Sequence, residues 1–164
     1  MKILDRFGKV LMEVEGDTLS GANLYDANLR GAKGLNPHIV TPLLMLHDQP
    51  GQIVAYKLVD QEGEGLYNGG IVYEIGKTVE VKNADTDCAV HCGAGINLAT
   101  LDWCLREWRE GCRVLKCQFM AEDIAAIPTA TDGKFRVHRC EVVGEVDLKE
   151  IGWPPEAPEG GSDG

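Results

Sequence analysis

Apolar and polar residues nearly alternate at the start of the chain, where Val10, Met12 and Val14 occupy every second position and Ile3 precedes them. The segment DRFGK between them has a turn-like composition, so residues 1–15 predict a β-hairpin. Later segments that are rich in β-branched and aromatic residues each predict a strand. They are QIVAYKLV (52–59), IVYEIGKTVEV (71–81), GINLA (95–99), CRVLKCQFM (112–120) and KFRVHRCEVVGEV (134–146).

One segment has helical spacing instead. In TLDWCLREWREG, the residues Leu101, Cys104, Leu105 and Trp108 recur at the intervals i, i+3, i+4 and i+7. A threonine precedes this stripe as a suitable N-cap residue, and a glycine follows its end. The pattern predicts a helix at 101–110 whose apolar stripe packs against the sheet.

A third pattern lies between the hairpin and the strands, where leucine recurs at every fifth position, at Leu19, Leu24 and Leu29. This spacing resembles the pentapeptide repeats, A(D/N)Lxx, in which the central leucine and the preceding alanine fill the inside of a square β-helix. The resemblance implies about one coil over residues 17–33. Because stacked repeats need neighbours to bury their faces, we expect this coil to pack on the rest of the chain or on a partner.

Together these elements predict an α+β fold, in which a mainly antiparallel sheet carries one principal helix. The hairpin and about one pentapeptide-repeat coil occupy residues 1–35. A connector punctuated by prolines follows at 36–51, and we expect its leucines to lie over the core. The α+β domain spans residues 52–150. The tail at 151–164 is rich in proline, glycine and acidic residues, so we expect it to be flexible.

Composition restricts the partners of the chain. Its 164 residues carry a formal net charge of −10, and an acidic surface repels nucleic-acid phosphate. We therefore predict no nucleic-acid partner.

No apolar run approaches the ~18 residues that span a bilayer, and the start lacks the apolar core of a signal peptide. We therefore predict no membrane partner and a cytoplasmic location.

Cysteine and histidine are the residues most suggestive of chemistry. Cys88, His91 and Cys92 have the close spacing of metal ligands, but no second ligand pair follows them. Cys104 lies on the apolar stripe of the predicted helix, and Cys117 alternates with apolar residues on one face of a strand. We therefore predict structural thiols, with no cofactor and no metal. A zinc-stabilised binding module that uses the first three residues is kept as an alternative.

The order of motifs over about residues 53–148 is also informative. These motifs are AYKLVD, YEIGKTVEV, a cysteine, GINLAT before a helix, VLKCQF and KFRVHRCEVVGEV. In this order they resemble a phage and bacterial domain of unknown function that is often found next to pentapeptide repeats. Where the family has glycine, an aromatic residue or leucine, and then histidine, this chain has Gly95, Ile96 and Asn97.

That resemblance implies a phage-type accessory protein, which is non-catalytic and acts by protein–protein contact in a virion or in the host cytoplasm. We expect the partner to be a phage assembly subunit or a host protein, with a homo-oligomer as an alternative. The acidic tail and the repeat coil are the predicted contact surfaces.

A second resemblance concerns the strand GINLA and the helix that follows it, which are similar to the split-sheet ADP-ribosyltransferase folds. Those enzymes clamp NAD with a histidine or arginine on the first strand and use a glutamate on a late strand. The resemblance implies an NAD-using enzyme as an alternative function, although this chain has neither of the two first-strand residues. The matching catalytic positions are Tyr56, Lys57, Asn97, Thr100, Glu141 and Glu145.

Overall fold

The structure is a computed structural model that describes residues 2–4, 8–13, 36–67 and 69–154. Strands β1 (Lys2–Leu4) and β2 (Val10–Glu13) form a two-stranded antiparallel sheet. The predicted hairpin is therefore confirmed. The predicted repeat coil at 17–33 lies outside the described residues, and so does the tail beyond residue 154.

The connector at 36–51 is mostly helical. Helix α1 (Pro37–Val40) is followed by a 3-10 helix (Pro42–Asp48). Each helix begins with a proline, whose missing N–H costs nothing in a first turn. As expected, the connector leucines Leu43, Leu44 and Leu46 pack against the core.

Seven strands of the described chain form one sheet, in the order β4-β9-β6-β3-β5-β8-β7. Every neighbouring pair in this sheet is antiparallel, which confirms the predicted mainly antiparallel architecture. The strands are β3 (Ile53–Val59), β4 (Thr78–Glu80), β5 (Ile96–Ala99), β6 (Arg113–Phe119), β7 (Ile124–Ala126), β8 (Lys134–Val137) and β9 (Arg139–Glu145).

Two predicted strands differ from the observed ones. Only the last part of residues 71–81 is a strand, because Gly76 adopts a φ of +82° that a strand does not use. The segment 134–146 divides at His138 into β8 and β9, which lie on opposite sides of β3 in the sheet. Because a single residue joins them, the two halves of the sheet must fold towards each other at this point.

Helix α2 (Leu101–Glu107) is shorter than predicted, and its buried face is wider. Cys104 is fully buried, as expected, but the second buried side chain is Trp103 rather than Leu105. Leu101 and Trp108 contribute partly buried contacts to the same cluster. Leu105 is half-buried, like Leu101 and Trp108, but it is not part of this cluster, so the predicted stripe is confirmed at Cys104 and leaves out Trp103.

The core has two parts. The larger cluster is formed by side chains of several strands and includes Leu98 of β5, Leu115 of β6, Phe135 of β8 and Val142 of β9. The smaller cluster lies under α2 and includes Leu58, Trp103, Cys104 and Val114. In the part of the chain that the structure describes, none of the helices has both the length and the apolar character to cross a membrane.

Candidate functional site

The sheet is incomplete between two of its central strands. Strand β3 pairs with β6 along its whole length, but it pairs with β5 only where Tyr56 faces Ala99. Beyond this pair the two strands diverge and leave a cleft. A cavity of about 270 Å³ occupies it, and we call it the cleft cavity. Its lining residues are Tyr56, Lys57, Leu58, Leu66, Tyr67, Cys92, Asn97, Ala99, Trp103 and Lys134.

Lys57 is the most unusual residue of the cleft cavity, because its side chain is only 7% exposed. Its Nζ donates a hydrogen bond to the main-chain carbonyl oxygen of Asn97 at 3.0 Å. This carbonyl lies on β5 where β5 no longer pairs with β3, so the lysine side chain supplies the donor that a main-chain N–H of a paired strand would supply. The same Nζ lies 4.9 Å from the centre of the Tyr73 ring. Burial lowers the pKa of Lys57 from 10.5 to about 8, and the charge of Lys134 acts in the same direction.

Lys134 is a second cation in the same cavity. It begins strand β8, where it pairs with Ala99 of β5. Its Nζ lies 5.4 Å from the centre of the Trp103 ring and donates to Cys92 Sγ at 2.9 Å. The thiol of Cys92 is exposed, so this end of the cavity opens to solvent.

Two lining side chains hold polar atoms that have no hydrogen-bond partner in the described structure. The indole Nε1 of Trp103 is a buried donor without an acceptor, and the residue is 7% exposed. The amide of Asn97 donates to the carbonyl oxygens of Gly93 and Gly95, which leaves its buried Oδ1 without a donor. Unpaired buried polar atoms cost free energy, and in native proteins they often mark a site where a ligand or water binds.

Aromatic and aliphatic side chains form the remaining walls. Tyr67 meets the Trp103 ring edge to face, with the ring centres 6.3 Å apart. The Tyr67 hydroxyl donates to Glu107 Oε2 at 2.7 Å, and this hydrogen bond raises the pKa of Tyr67. Leu66 and Tyr56 complete the apolar surface. The cavity therefore combines apolar walls with a few polar groups, which is the usual composition of a small-molecule site.

The loop that carries Cys92 is held in place by the buried side chain of Arg136. The side chain of Arg136 is fully buried on β8 and donates to the carbonyl oxygens of Asp85, Asp87 and Val90, at 2.6–2.8 Å. Because these bonds go to the main chain at three points, they fix the path of the whole loop. The rim of the cleft cavity is therefore positioned by Arg136.

The structure brings together only some of the residues implied by the ADP-ribosyltransferase resemblance. Tyr56, Lys57 and Asn97 line the cleft cavity. Thr100 instead lines a separate apolar cavity of about 150 Å³ beside Leu43 and Leu101. The two glutamates are elsewhere, since Glu141 lines a polar cavity near β4, and Glu145 Oε2 accepts a hydrogen bond from Arg113 at 2.6 Å.

The cysteine and histidine candidates divide in a similar way. Cys104 and Cys117 are buried, as predicted. Burial raises the pKa of Cys104 to about 12, and a hydrogen bond with Cys140 together with burial raises that of Cys117. Cys88 and Cys92 are exposed. In the part of the chain that the structure describes, no three His, Cys, Asp or Glu side chains are grouped closely enough to hold a metal ion.

Sequence reasoning missed Trp103, Lys134 and Arg136 as residues of this region. One signal was present for two of them, because the charged residues Lys134 and Arg136 alternate with Phe135 and Val137 along one strand. Such charges on a buried strand need partners, and these partners lie in distant loops that the sequence does not place.

The fold and the cavity define this protein as an α+β protein with a two-lysine cavity in a split antiparallel sheet. Comparisons of the chain with protein-family models, with curated proteins and with solved structures find no match.

Proposed function

We propose that this protein binds a small organic anion in the cleft cavity. The observation that supports the proposal best is the charge of the lining, which includes Lys57 and Lys134 but no acidic residue. In a chain of net charge −10, such a cavity concentrates positive potential where the rest of the surface repels anions. Lysine ammonium groups bind carboxylate and phosphate as strong, charge-assisted donors.

The rest of the lining indicates that the anion has an aromatic or otherwise planar apolar part. Trp103, Tyr67, Tyr56 and Leu66 supply flat apolar surface around the two lysines. The unpaired Nε1 of Trp103 offers one further donor to an oxygen atom of the ligand. A cavity of about 270 Å³ is large enough for one ring and one anionic group.

The NAD-using alternative is compatible with this proposal in one respect, because a dinucleotide also has planar rings and anionic groups. The glutamates that an ADP-ribosyl transfer would use lie outside the cleft cavity, at Glu141 and Glu145. We therefore propose binding, and not ADP-ribosyl transfer, as the activity of this cavity.

Lys134→Met is expected to weaken the binding of a simple aromatic carboxylate by about tenfold or more, since a hydrogen bond to a charged group contributes about 1.5–3 kcal/mol. The probe is para-(hydroxymethyl)benzoate, and titration calorimetry measures its affinity. Lys116→Met is the matched control, because Lys116 is exposed on β6 and does not line the cavity. Equal affinities in the wild type and both variants, or no binding to the wild type, would contradict the proposal.

The phage-type accessory role remains a second proposal, in which the protein acts by contact with another protein. It is supported by large apolar side chains that the described structure leaves exposed in the segment between β3 and β4, including Tyr67, Val72 and Ile75. Isolated exposed apolar residues are common, but several on one loop favour a contact surface.

Removal of the tail after Trp153 is expected to weaken assembly with a partner and to leave the melting temperature nearly unchanged, because the acidic, proline-rich tail has little to bury. Co-purification from the native source, compared between full-length and truncated chains, measures the first effect. Thermal unfolding measures the second. If the truncated chain enters its complex at full occupancy, the tail is not a contact surface.

A further inference from the structure

The amine of Lys57 has more features than anion binding requires. A lysine that only attracts an anion works best on an open surface, where its charge costs little. Lys57 is instead buried between two strands, its Nζ contacts a carbonyl oxygen and an aromatic face, and a second lysine lies in the same cavity. A desolvated lysine beside another cation is the arrangement that makes an amine nucleophilic.

We infer that Lys57 is a covalent attachment site for a carbonyl compound, an aldehyde or ketone that also carries an anionic group and that forms an imine with the lysine amine. The inference rests on the proposed function, because it assigns the same cavity and narrows the same class of ligand.

The reaction needs no oxidant, reductant or metal. The lone pair of the neutral Lys57 amine attacks the carbonyl carbon and gives a carbinolamine. The carbonyl oxygen then leaves with the two hydrogens of the amine as one water molecule, and a carbon–nitrogen double bond remains. The step is reversible by hydrolysis, so the ligand is held covalently and can still be released.

Lys57 is suited to this step because its neutral form is accessible at physiological pH. Its pKa of about 8 contrasts with about 10.4 for an exposed lysine. At equal pH, the neutral fraction of Lys57 is therefore greater by about two orders of magnitude. This difference makes a selective reaction at one lysine measurable against the other lysines of the same chain.

The contacts around Lys57 also leave the lone pair of its Nζ available for attack. A neutral amine has two hydrogens and one lone pair, so Lys57 Nζ can keep its hydrogen bond to the Asn97 carbonyl while the lone pair faces the ligand. Lys134 supplies a cation for the anionic group of the ligand. The unpaired Nε1 of Trp103 supplies a donor for an oxygen of the ligand or of the carbinolamine.

The test is reductive trapping with para-formylbenzoate, an aromatic aldehyde that carries a carboxylate. Cyanoborohydride delivers a hydride to the imine carbon and leaves a stable secondary amine. Each labelled lysine then gains the mass of the probe less one oxygen atom. Peptide mass spectrometry compares labelling of Lys57 with that of Lys116, which is exposed on the next strand. An excess of para-(hydroxymethyl)benzoate, which carries the same carboxylate but no aldehyde or ketone, serves as the competitor.

We expect Lys57 to be labelled at least tenfold faster than Lys116, and the competitor to slow labelling at Lys57 only. Lys57→Arg, which keeps a cation but cannot form an imine, should lose the adduct. If this variant does not fold, the wild-type comparison of the two lysines decides alone. Labelling of Lys57 no faster than that of Lys116 would overturn the inference.

The competitor distinguishes the two proposals. If it binds with dependence on Lys134 while Lys57 shows no preferential labelling, the covalent step is wrong and the anion site stands. If it does not bind and Lys57 shows no preference, both are wrong.

Discussion

Replacement of Arg136 by methionine is expected to lower the free energy of unfolding by about 3 kcal/mol or more. The wild-type guanidinium donates to the carbonyl oxygens of Asp85, Asp87 and Val90. Methionine fills similar volume but supplies no donor, and each lost hydrogen bond to a charged group costs about 1.5–3 kcal/mol. Removal of a buried charge and hydration of the loosened loop offset part of this sum. Urea unfolding measures the loss.

Two comparisons make this expectation specific. Arg139→Ala removes an exposed arginine from β9, the strand that follows β8 in the chain, and should change stability by less than about 0.5 kcal/mol. Arg136→Lys keeps a charge but cannot reach three carbonyl oxygens in a planar fork, so its loss should lie between those of the other variants. Hydrogen exchange over residues 84–94 should quicken in Arg136→Met. If its stability equals that of the Arg139 variant, the guanidinium does not hold the loop.

The second large expected effect is a dependence of folding stability on pH that is caused by Lys57. Burial lowers its pKa in the folded protein to about 8, whereas the ordinary value is 10.5. Between these values the unfolded chain binds a proton that the folded protein has released, so this lysine makes stability rise with pH. The full cost of the buried charge is present below pH 8 and is relieved by about pH 10.5. A difference of this size corresponds to about 3 kcal/mol.

The measurement is the difference between the wild type and Lys57→Met, by urea unfolding at pH ~7 and at pH ~10. The difference is needed because neighbouring groups act in the opposite direction. Burial raises the pKa values of Cys104 and Tyr73, so these groups stay protonated in the folded protein and lower its stability at high pH. Relative to the variant, the wild type should gain about 2–3 kcal/mol over this range. A constant difference at both pH values would show that Lys57 is well solvated.

Much of the fold follows from local pattern, and the exceptions have physical causes. Alternation and the content of β-branched residues predict the bounds of β3, β5 and β6 to within one or two residues. The strand pattern runs unbroken along each of these segments. The turn at Gly76 and the division at His138 were not predicted, since both depend on where the chain must bend to close the sheet. That is a property of the assembled strands, and short-range spacing does not contain it.

The candidate site shows the same limit more strongly. Lys57 and Asn97 were named from a resemblance, and the structure places both in one cavity. Trp103 was missed because a simple heptad-like stripe assigns it to a flank of the helix, whereas the actual burial includes it. Arg136 was missed because its three acceptors lie about fifty residues earlier in the chain. Sequence spacing predicts local faces well, but it does not predict which distant loop a buried charge will meet.

The way in which Arg136 holds the rim loop bears on how this protein can change during evolution. All three bonds go to main-chain oxygens, which every residue type possesses. Substitutions in most of the loop therefore leave the anchoring intact, so its exposed side chains are free to diverge. The constraint falls instead on Arg136, on Gly93, where an added Cβ would lie 2.8 Å from Asp85 Cβ, and on Gly95, where it would lie 2.9 Å from Ala84 Cβ. Divergent copies should keep these positions while the exposed side chains of the loop at 85–92 adapt to a new ligand or partner.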